Sequence, residues 1–214
     1  MEFLMIFVIG SVLGHFSKRL INWLDINNYK LDKKNILCEF IGGLSSFWAF
    51  SNLDKPEAMV FILIVTSLIS ISIIDYQTFQ VPLVFIFIGM VAIMIGLLYK
   101  VMYLSASLWG IFVGAVIPCA IMLLMWMITK RQGMGFGDIQ MGIVLGAWLG
   151  PMRMAITLFS ASILSLLVWI IVSLFDGFDM NRALPMGPFL SFAGIGVYIG
   201  SFYYPEFFHL LILI

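Results

Sequence analysis

Three acidic side chains lie against or inside apolar runs of helical length: Glu39, Asp75 and Asp138. Most of the other acids fall in polar connections, where solvation accounts for them. A carboxylate placed in hydrocarbon costs roughly 2.5 kcal/mol or more, so such residues face a polar cavity or reach water. Asp75 closes the run Ile69–Ile74 and is followed by Tyr76-Gln77-Thr78-Phe79-Gln80-Val81-Pro82. Pro82 suits the start of the next helix, where its missing N–H does no harm. Asp138 closes Gly133-Met134-Gly135-Phe136-Gly137-Asp138. Glycines at every second position break a helix and let the main chain approach a substrate strand closely. Taken singly, Asp75 reads as an interfacial acid marking a helix end, and Asp138 as an N-cap after a flexible loop.

Taken together, the two acids offer more. Two carboxylates within a few ångströms cannot both ionise cheaply, so such a pair holds one proton. The ionised member can deprotonate water while the protonated one hydrogen-bonds a scissile carbonyl. That is general acid–base peptide hydrolysis without a metal or a covalent intermediate. Paired intramembrane acids also suit a small transporter that carries protons or cations, which would need acids near mid-membrane and a path open to both faces.

The elements that must position these acids are membrane helices. The 214 residues are 63% hydrophobic and only 10% charged, with a mean hydropathy of +1.12. Soluble domains carry roughly 25% charged residues. The apolar runs are continuous, as in Phe61–Ile74 and Ile111–Ile128, which argues against the alternating strands of a membrane barrel. An all-α polytopic protein with about eight transmembrane helices is expected, with spans near 3–24, 36–51, 57–74, 82–99, 104–128, 138–151, 153–174 and 185–203. The sixth is short, bounded by Asp138 and Pro151-Met152-Arg153. No repeat or low-complexity linker divides the chain, so residues 1–214 read as one domain.

Lys and Arg set the orientation. With the N-terminus outside, alternate loops place Lys18, Arg19, Lys30, Lys33, Lys34, Lys130, Arg131 and Arg182 on one side, and Lys55, Lys100 and Arg153 on the other. Eight against three puts the first group in the cytoplasm. Asp75 and Asp138 then both fall at cytoplasmic helix ends, at a shared membrane depth. Met1-Glu2-Phe3 has no positive n-region, so the start reads as a first transmembrane helix and not as a cleavable signal.

Other chemistries find little support. Net charge is zero, so no basic face suggests nucleic acid. Cys38 and Cys119 are far apart, form no CxxC pair and read as packing residues. His15 and His209 lie near opposite ends of the chain, and no GxSxG or HExxH occurs. No metal site is expected. His15 reads as a helix-facing polar residue, and Glu39 as an acid neutralised by Lys18 or Arg19 or, alternatively, as a third active-site acid.

Several segments carry a resemblance. They are Gly10-Ser11-Val12-Leu13 with Arg19-Leu20, then Leu37-Cys38-Glu39, then Asp75 through Pro82, then Gly133 through Asp138. Leu145-Gly146-Ala147-Trp148-Leu149-Gly150 and Leu184-Pro185-Met186-Gly187-Pro188-Phe189-Leu190 complete the set. In this order, over most of its length, the chain resembles the type IV prepilin peptidase family, membrane aspartyl proteases of the GxGD class. The resemblance implies eight helices and catalytic aspartates at Asp75 and Asp138. It implies substrate-binding or loop-shaping roles for Glu39, Gly133, Gly135, Gly137 and Pro82. Substrates would be prepilins or pseudopilins of a type IV pilus or protein secretion system, with a short basic leader cut at the cytoplasmic face of the bacterial inner membrane. Acids such as Glu39 or Asp32 would suit that leader. Cleavage would need no cofactor, and S-adenosylmethionine would enter only if the new N-terminus is methylated.

The departures are specific. Gly14 stands where an asparagine is usual, Gln140 where a lysine is usual, and Leu83 where a polar residue is common. The stretch Asp25–Asn35 holds no cysteine, whereas many relatives carry a cysteine-rich zinc insertion there, so this is a short form. A presenilin-type protease, which shares the GxGD element and cuts within the bilayer, is the nearer alternative. The sequence assigns no oligomeric state.

Overall fold

The computed structural model describes residues 2–32, 34–130, 135–179 and 182–210. Every regular element among them is helical, and five stretches are long and apolar enough to cross a membrane: Leu4–Leu24, Lys55–Thr78, Leu104–Ile128, Phe136–Asp176 and Met186–Tyr203. The chain is an all-α polytopic membrane protein. Its helices gather into two compact units, 1–103 and 104–214.

The first unit holds α1 (Glu2–Leu24), α2 (Leu37–Asn52), α3 (Lys55–Thr78) and α4 (Leu83–Leu98). Small residues let α1 and α2 meet backbone to backbone. A methyl group placed on Gly10 would lie 2.3 Å from the Gly42 carbonyl oxygen, and one on Gly14 would lie 2.1 Å from that of Cys38. In a membrane, where lipid is as apolar as leucine, such close approach supplies the packing that holds helices together. The connection folds back on α1. Asn22 accepts the Leu31 N–H at 2.7 Å and donates to the Leu31 carbonyl at 3.2 Å, and the Lys18 ammonium donates to the Asn35 carbonyl.

The central helix of this unit is α3, which packs on α1, α2 and α4. Its buried residues run from Ala58 to Asp75, and Phe61 meets Trp48 of α2 with ring centroids 5.0 Å apart. The sequence turn at Ser51–Pro56 is tighter than expected: α2 runs through Asn52, only Leu53 and Asp54 intervene, and Pro56 sits in the first turn of α3. Pro82 directly precedes α4 as its N-cap residue.

In the second unit, α5 (Leu104–Ile111) passes through a π-helical turn (Phe112–Val116) into α6 (Ile117–Thr129), followed by α7 (Phe136–Asp176), α8 (Met186–Tyr203) and α9 (Pro205–Leu210). The predicted sixth and seventh spans form the single stretch α7, broken at Gly150, whose φ of 75° and ψ of 175° are not helical. Pro151 follows, without an N–H to offer. The two halves double back on each other. A methyl group on Gly114 would touch both the Gly142 carbonyl oxygen at 2.3 Å and Met154 Cγ at 3.1 Å, and one on Gly194 would touch both Leu145 and Thr157. Residues twelve apart in a continuous helix stand about 18 Å apart, so these shared neighbours require a hairpin. The first half, 136–149, is about 21 Å long, short of the roughly 30 Å hydrocarbon core. It is buried almost throughout, against α5, the π turn and α8.

The crossing of α5 on α7 is the closest in this unit. Methyl groups on Gly110 and Gly146 would each run into the other's carbonyl oxygen, at 1.9 and 2.2 Å. Gly114 and Gly142 repeat the arrangement one turn away, at 2.3 and 1.9 Å. Trp148 stacks on Tyr198 of α8 with centroids 4.6 Å apart.

Candidate active site

Asp138 is the third residue of α7 and not its N-cap, which is Gly135. Asp138 returns its own N–H to the Gly135 carbonyl at 3.2 Å. Its Oδ2 accepts the Gly135 N–H, also at 3.2 Å. The carboxylate thus covers the opened end of the helix, where free N–H groups and the positive end of the helix dipole favour an acid. Asp138 is only 9% exposed. Gly135 has an ordinary φ of −77°, so its backbone does not demand glycine. Space does: a methyl group there would stand 3.3 Å from Asp138 Oδ2. Gly137 is the second residue of α7, and Gly133 lies outside the described residues.

Asp75 occupies the last turn of α3 in the first unit and is 5% exposed. It is therefore more than a solvated acid at a helix end. Phe79 closes the helix in a left-handed conformation, φ 54°, and donates its N–H to the Asp75 carbonyl at 2.9 Å. Thr78 donates its hydroxyl to the Ile74 carbonyl at 2.8 Å. Tyr76 and Phe79 are exposed on either side, while Pro82, four residues after Thr78, is the N-cap residue of α4. The chain around Asp75 is thus held by main-chain geometry, with the turn to α4 directly behind it.

Glu39 stands in the first turn of α2. Its Oε1 meets His15 Nδ1 at 3.0 Å and Lys18 Nζ at 3.5 Å. Lys18 neutralises it, as the spacing suggested, but the second partner is His15 and not Arg19. Both donors fall on one oxygen, and Oε2 is buried without a hydrogen-bond partner. Lys18 is itself only 6% exposed, so the cluster ties α1 to α2 in a poorly hydrated place. Asp32 sits in the connection, its carboxylate accepting the Lys34 N–H at 3.2 Å.

Sequence reasoning passed over His15 as an isolated polar residue. The signal for its role was its place one turn before Lys18, which puts both on one helix face. It also passed over the glycines Gly110 and Gly114 and Gly142, Gly146 and Gly150, whose four-residue spacing marks a close helix crossing. Among the described residues no group of three or more His, Cys, Asp or Glu side chains could hold a metal ion. Cys38 is buried and Cys119 half-buried, both as free thiols.

Comparison with known proteins bears on the family of the chain. A model of the type IV leader peptidase family matches residues 62–170, a stretch that contains both Asp75 and Asp138. The chain is 31% identical over 169 residues to the prepilin leader peptidase/N-methyltransferase of Dichelobacter nodosus, covering 77% of this chain and 57% of that protein. The protein of the same name from Pseudomonas putida is 29% identical over 139 residues, covering 64% and 48% respectively. That from Stutzerimonas stutzeri is 27% identical over 188 residues, covering 82% and 63%. The chain therefore spans between about half and two thirds of the length of these relatives. No solved structure matches it. By the extent of the match across its central helices, the chain belongs to the type IV leader peptidase family.

Proposed function

We propose that the chain is a membrane aspartyl endopeptidase that removes the short leader of prepilins or pseudopilins on the cytoplasmic side of a bacterial inner membrane, with Asp75 and Asp138 as its catalytic pair. The carrying observation is the family match across 62–170, which encloses both acids. Their burial at helix termini supports it, because buried carboxylates in membrane helices are costly unless they serve a site. The orientation derived from Lys and Arg supports it further, since it assigns both acids to the cytoplasmic side.

In this reading the pair holds one proton. The ionised aspartate takes a proton from a water molecule, whose oxygen attacks the scissile carbonyl carbon. The protonated aspartate hydrogen-bonds the carbonyl oxygen as negative charge develops there. The proton taken from water then passes to the leaving amine as the C–N bond breaks, and both products depart with the pair restored. Gly135 orients the Asp138 carboxylate through its N–H, and Glu39 with Lys18 braces the helices next to the leader. Cleavage needs no cofactor. Methylation of the new amino terminus, the second activity in the relatives' printed name, would draw on S-adenosylmethionine.

The test is co-expression with a candidate prepilin, read as a mobility shift with mass spectrometry of the new N-terminus. Asp75→Asn and Asp138→Asn are each expected to lower cleavage by about a thousandfold or more while the protein still inserts. Normal processing by both variants would end the proposal. The same spectrum reads the cut site, ahead of the substrate's apolar helix or inside it, and shows whether a methyl group has been added.

A further inference from the structure

The break at Gly150, about 18 Å along the helix from Asp138, creates a second helix start inside the unit. Gly150 leaves helical geometry, and Pro151 opens the half that runs to Asp176. In that first turn Pro151 has no N–H, and the N–H groups of Met152 and Arg153 have no carbonyl of their own helix to reach. Gly150 is buried, whereas Pro151 is exposed and Met152 and Arg153 are half-buried. The turn therefore lies at the rim of the packed core, open on one side.

A buried hydroxyl points at this turn from α5. A methyl group on Gly150 would stand 3.8 Å from Ala106 Cβ, and one on Gly110 would stand 2.9 Å from Gly150 Cα. Ser107, three residues before Gly110, shares its face, and its Cβ tilts toward the start of α5, over the break. Ser107 is 3% exposed, yet its Oγ has no hydrogen-bond partner. Such a hydroxyl needs a polar group from outside the chain. Charge supplies the third observation. Among the described residues Arg153 forms no ion pair, and Glu206, the acid at this end of the unit, is exposed on α9. A long side chain in a first turn leans back toward the helix start, which carries the guanidinium to the free N–H groups.

We propose that this helix start binds a phosphate oxyanion, held by the Met152 and Arg153 N–H groups, the Arg153 guanidinium and the Ser107 hydroxyl, and that the phosphate is the phosphodiester of a phospholipid headgroup. Free N–H groups and the positive end of the dipole suit a phosphate, and arginine adds a two-pronged contact. The surroundings favour a lipid over free phosphate. Trp148, beside the break, stacks on Tyr198, and further along that helix Tyr203 and Tyr204 are exposed, as tyrosines are at a membrane–water boundary. From the site, Ala155, Phe159 and Ile163 are exposed at every fourth residue, an apolar face along which acyl chains can lie. The site stands at the end of 136–149 opposite Asp138 and makes no use of the peptidase reading.

The experiment titrates the full chain in detergent with dioctanoyl phosphatidylglycerol, inorganic phosphate or dioctanoylglycerol. Binding is read by native mass spectrometry and by the rise in unfolding midpoint. The phospholipid is expected to bind saturably, and at least about tenfold more tightly than either fragment. Arg153→Gln should weaken it by about tenfold and Arg153→Lys by about threefold. Ser107→Ala should also weaken it by about threefold, while leaving the lipid-free protein as stable as before or more so. Lys55→Gln, which removes an exposed charge in the other unit, should leave binding unchanged. Equal affinity in the parent and Arg153→Gln, or an equal loss in Lys55→Gln, would overturn the site. Inorganic phosphate binding as tightly as the lipid would overturn the headgroup assignment, and dioctanoylglycerol doing so would overturn recognition of phosphate.

Discussion

The Gly135 N–H donates to Oδ2 of Asp138 at 3.2 Å, and a methyl group on Gly135 would stand 3.3 Å from that same oxygen. One residue thus both binds the carboxylate and leaves it room. Gly135→Ala keeps the N–H and an accessible φ, but pushes the carboxylate by a few tenths of an ångström. Replacing an N-cap glycine by alanine alters helix stability by about 1 kcal/mol at most, so the protein should still fold. Cleavage should fall by about tenfold in kcat/KM, and Gly135→Val should lower it further. Unchanged kcat/KM in both variants would show that the glycine does not position Asp138.

The two partners of Glu39 are predicted to differ sharply. The Lys18 side chain is 7% exposed and that of His15 is 50% exposed. Lys18→Ala leaves a half-buried carboxylate without its permanent counter-charge, which costs about 3 kcal/mol. His15→Ala removes a half-exposed partner while Lys18 stays on the same oxygen, at about 1 kcal/mol or less. Thermal unfolding in detergent should show the larger loss for Lys18, and equal losses would contradict the buried ion pair.

Glycines at the α5–α7 crossing should tolerate nothing larger. Gly142→Ala and Gly146→Ala would set a carbon 1.9 and 2.2 Å from a facing carbonyl oxygen, so the helices must separate, at about 3 kcal/mol or more. Gly196→Ala and Gly200→Ala meet nothing within 4 Å and should be neutral or slightly stabilising. The four variants, compared by unfolding midpoint, check the antiparallel register of α5 on the first half of α7.

Gly150 is a different case. A methyl group there meets only Ala106, at 3.8 Å, so space is available. The obstacle is the φ of 75° with ψ of 175°, a region that side-chain-bearing residues avoid at about 1–3 kcal/mol. Gly150→Ala should destabilise by that amount. Adding Pro151→Ala should not restore stability, because the strain lies in the hairpin turn. Full recovery in the double variant would show that the proline, and not the glycine, sets the turn.

How much of this could be read beforehand differs between elements. The all-α membrane class followed from continuous apolar runs, and α1, α3, α4 and α8 lie close to their expected spans because Asp54-Lys55-Pro56, Gln80-Val81-Pro82 and Pro185 punctuate the chain. The break after Leu149 was visible at Pro151, but its form was not: a positive φ at one glycine converts an apparent loop into a hairpin with no loop at all. The π turn at Phe112–Val116 left no mark, since Phe-Val-Gly-Ala-Val lies inside a continuous apolar run of helical length. At the site, Asp75 and Asp138 stood out because they interrupt apolar sequence. The Glu39–His15 contact did not, because it depends on how closely Gly10, Gly14 and Gly42 let two helices approach, a distance that residue types suggest but do not measure. The shared depth assumed for the two aspartates came from counting loops, which sees the side of a membrane and not the height within it.

The hairpin at Gly150 bears on how the protein is made. The stretch 136–149 is shorter than a spanning helix needs, and in isolation it would expose Gly142 and Gly146 to lipid. Its burial depends on α5 before it and on Met154, Thr157 and α8 after it, so the surroundings of Asp138 are complete only once the chain beyond Gly150 has been added.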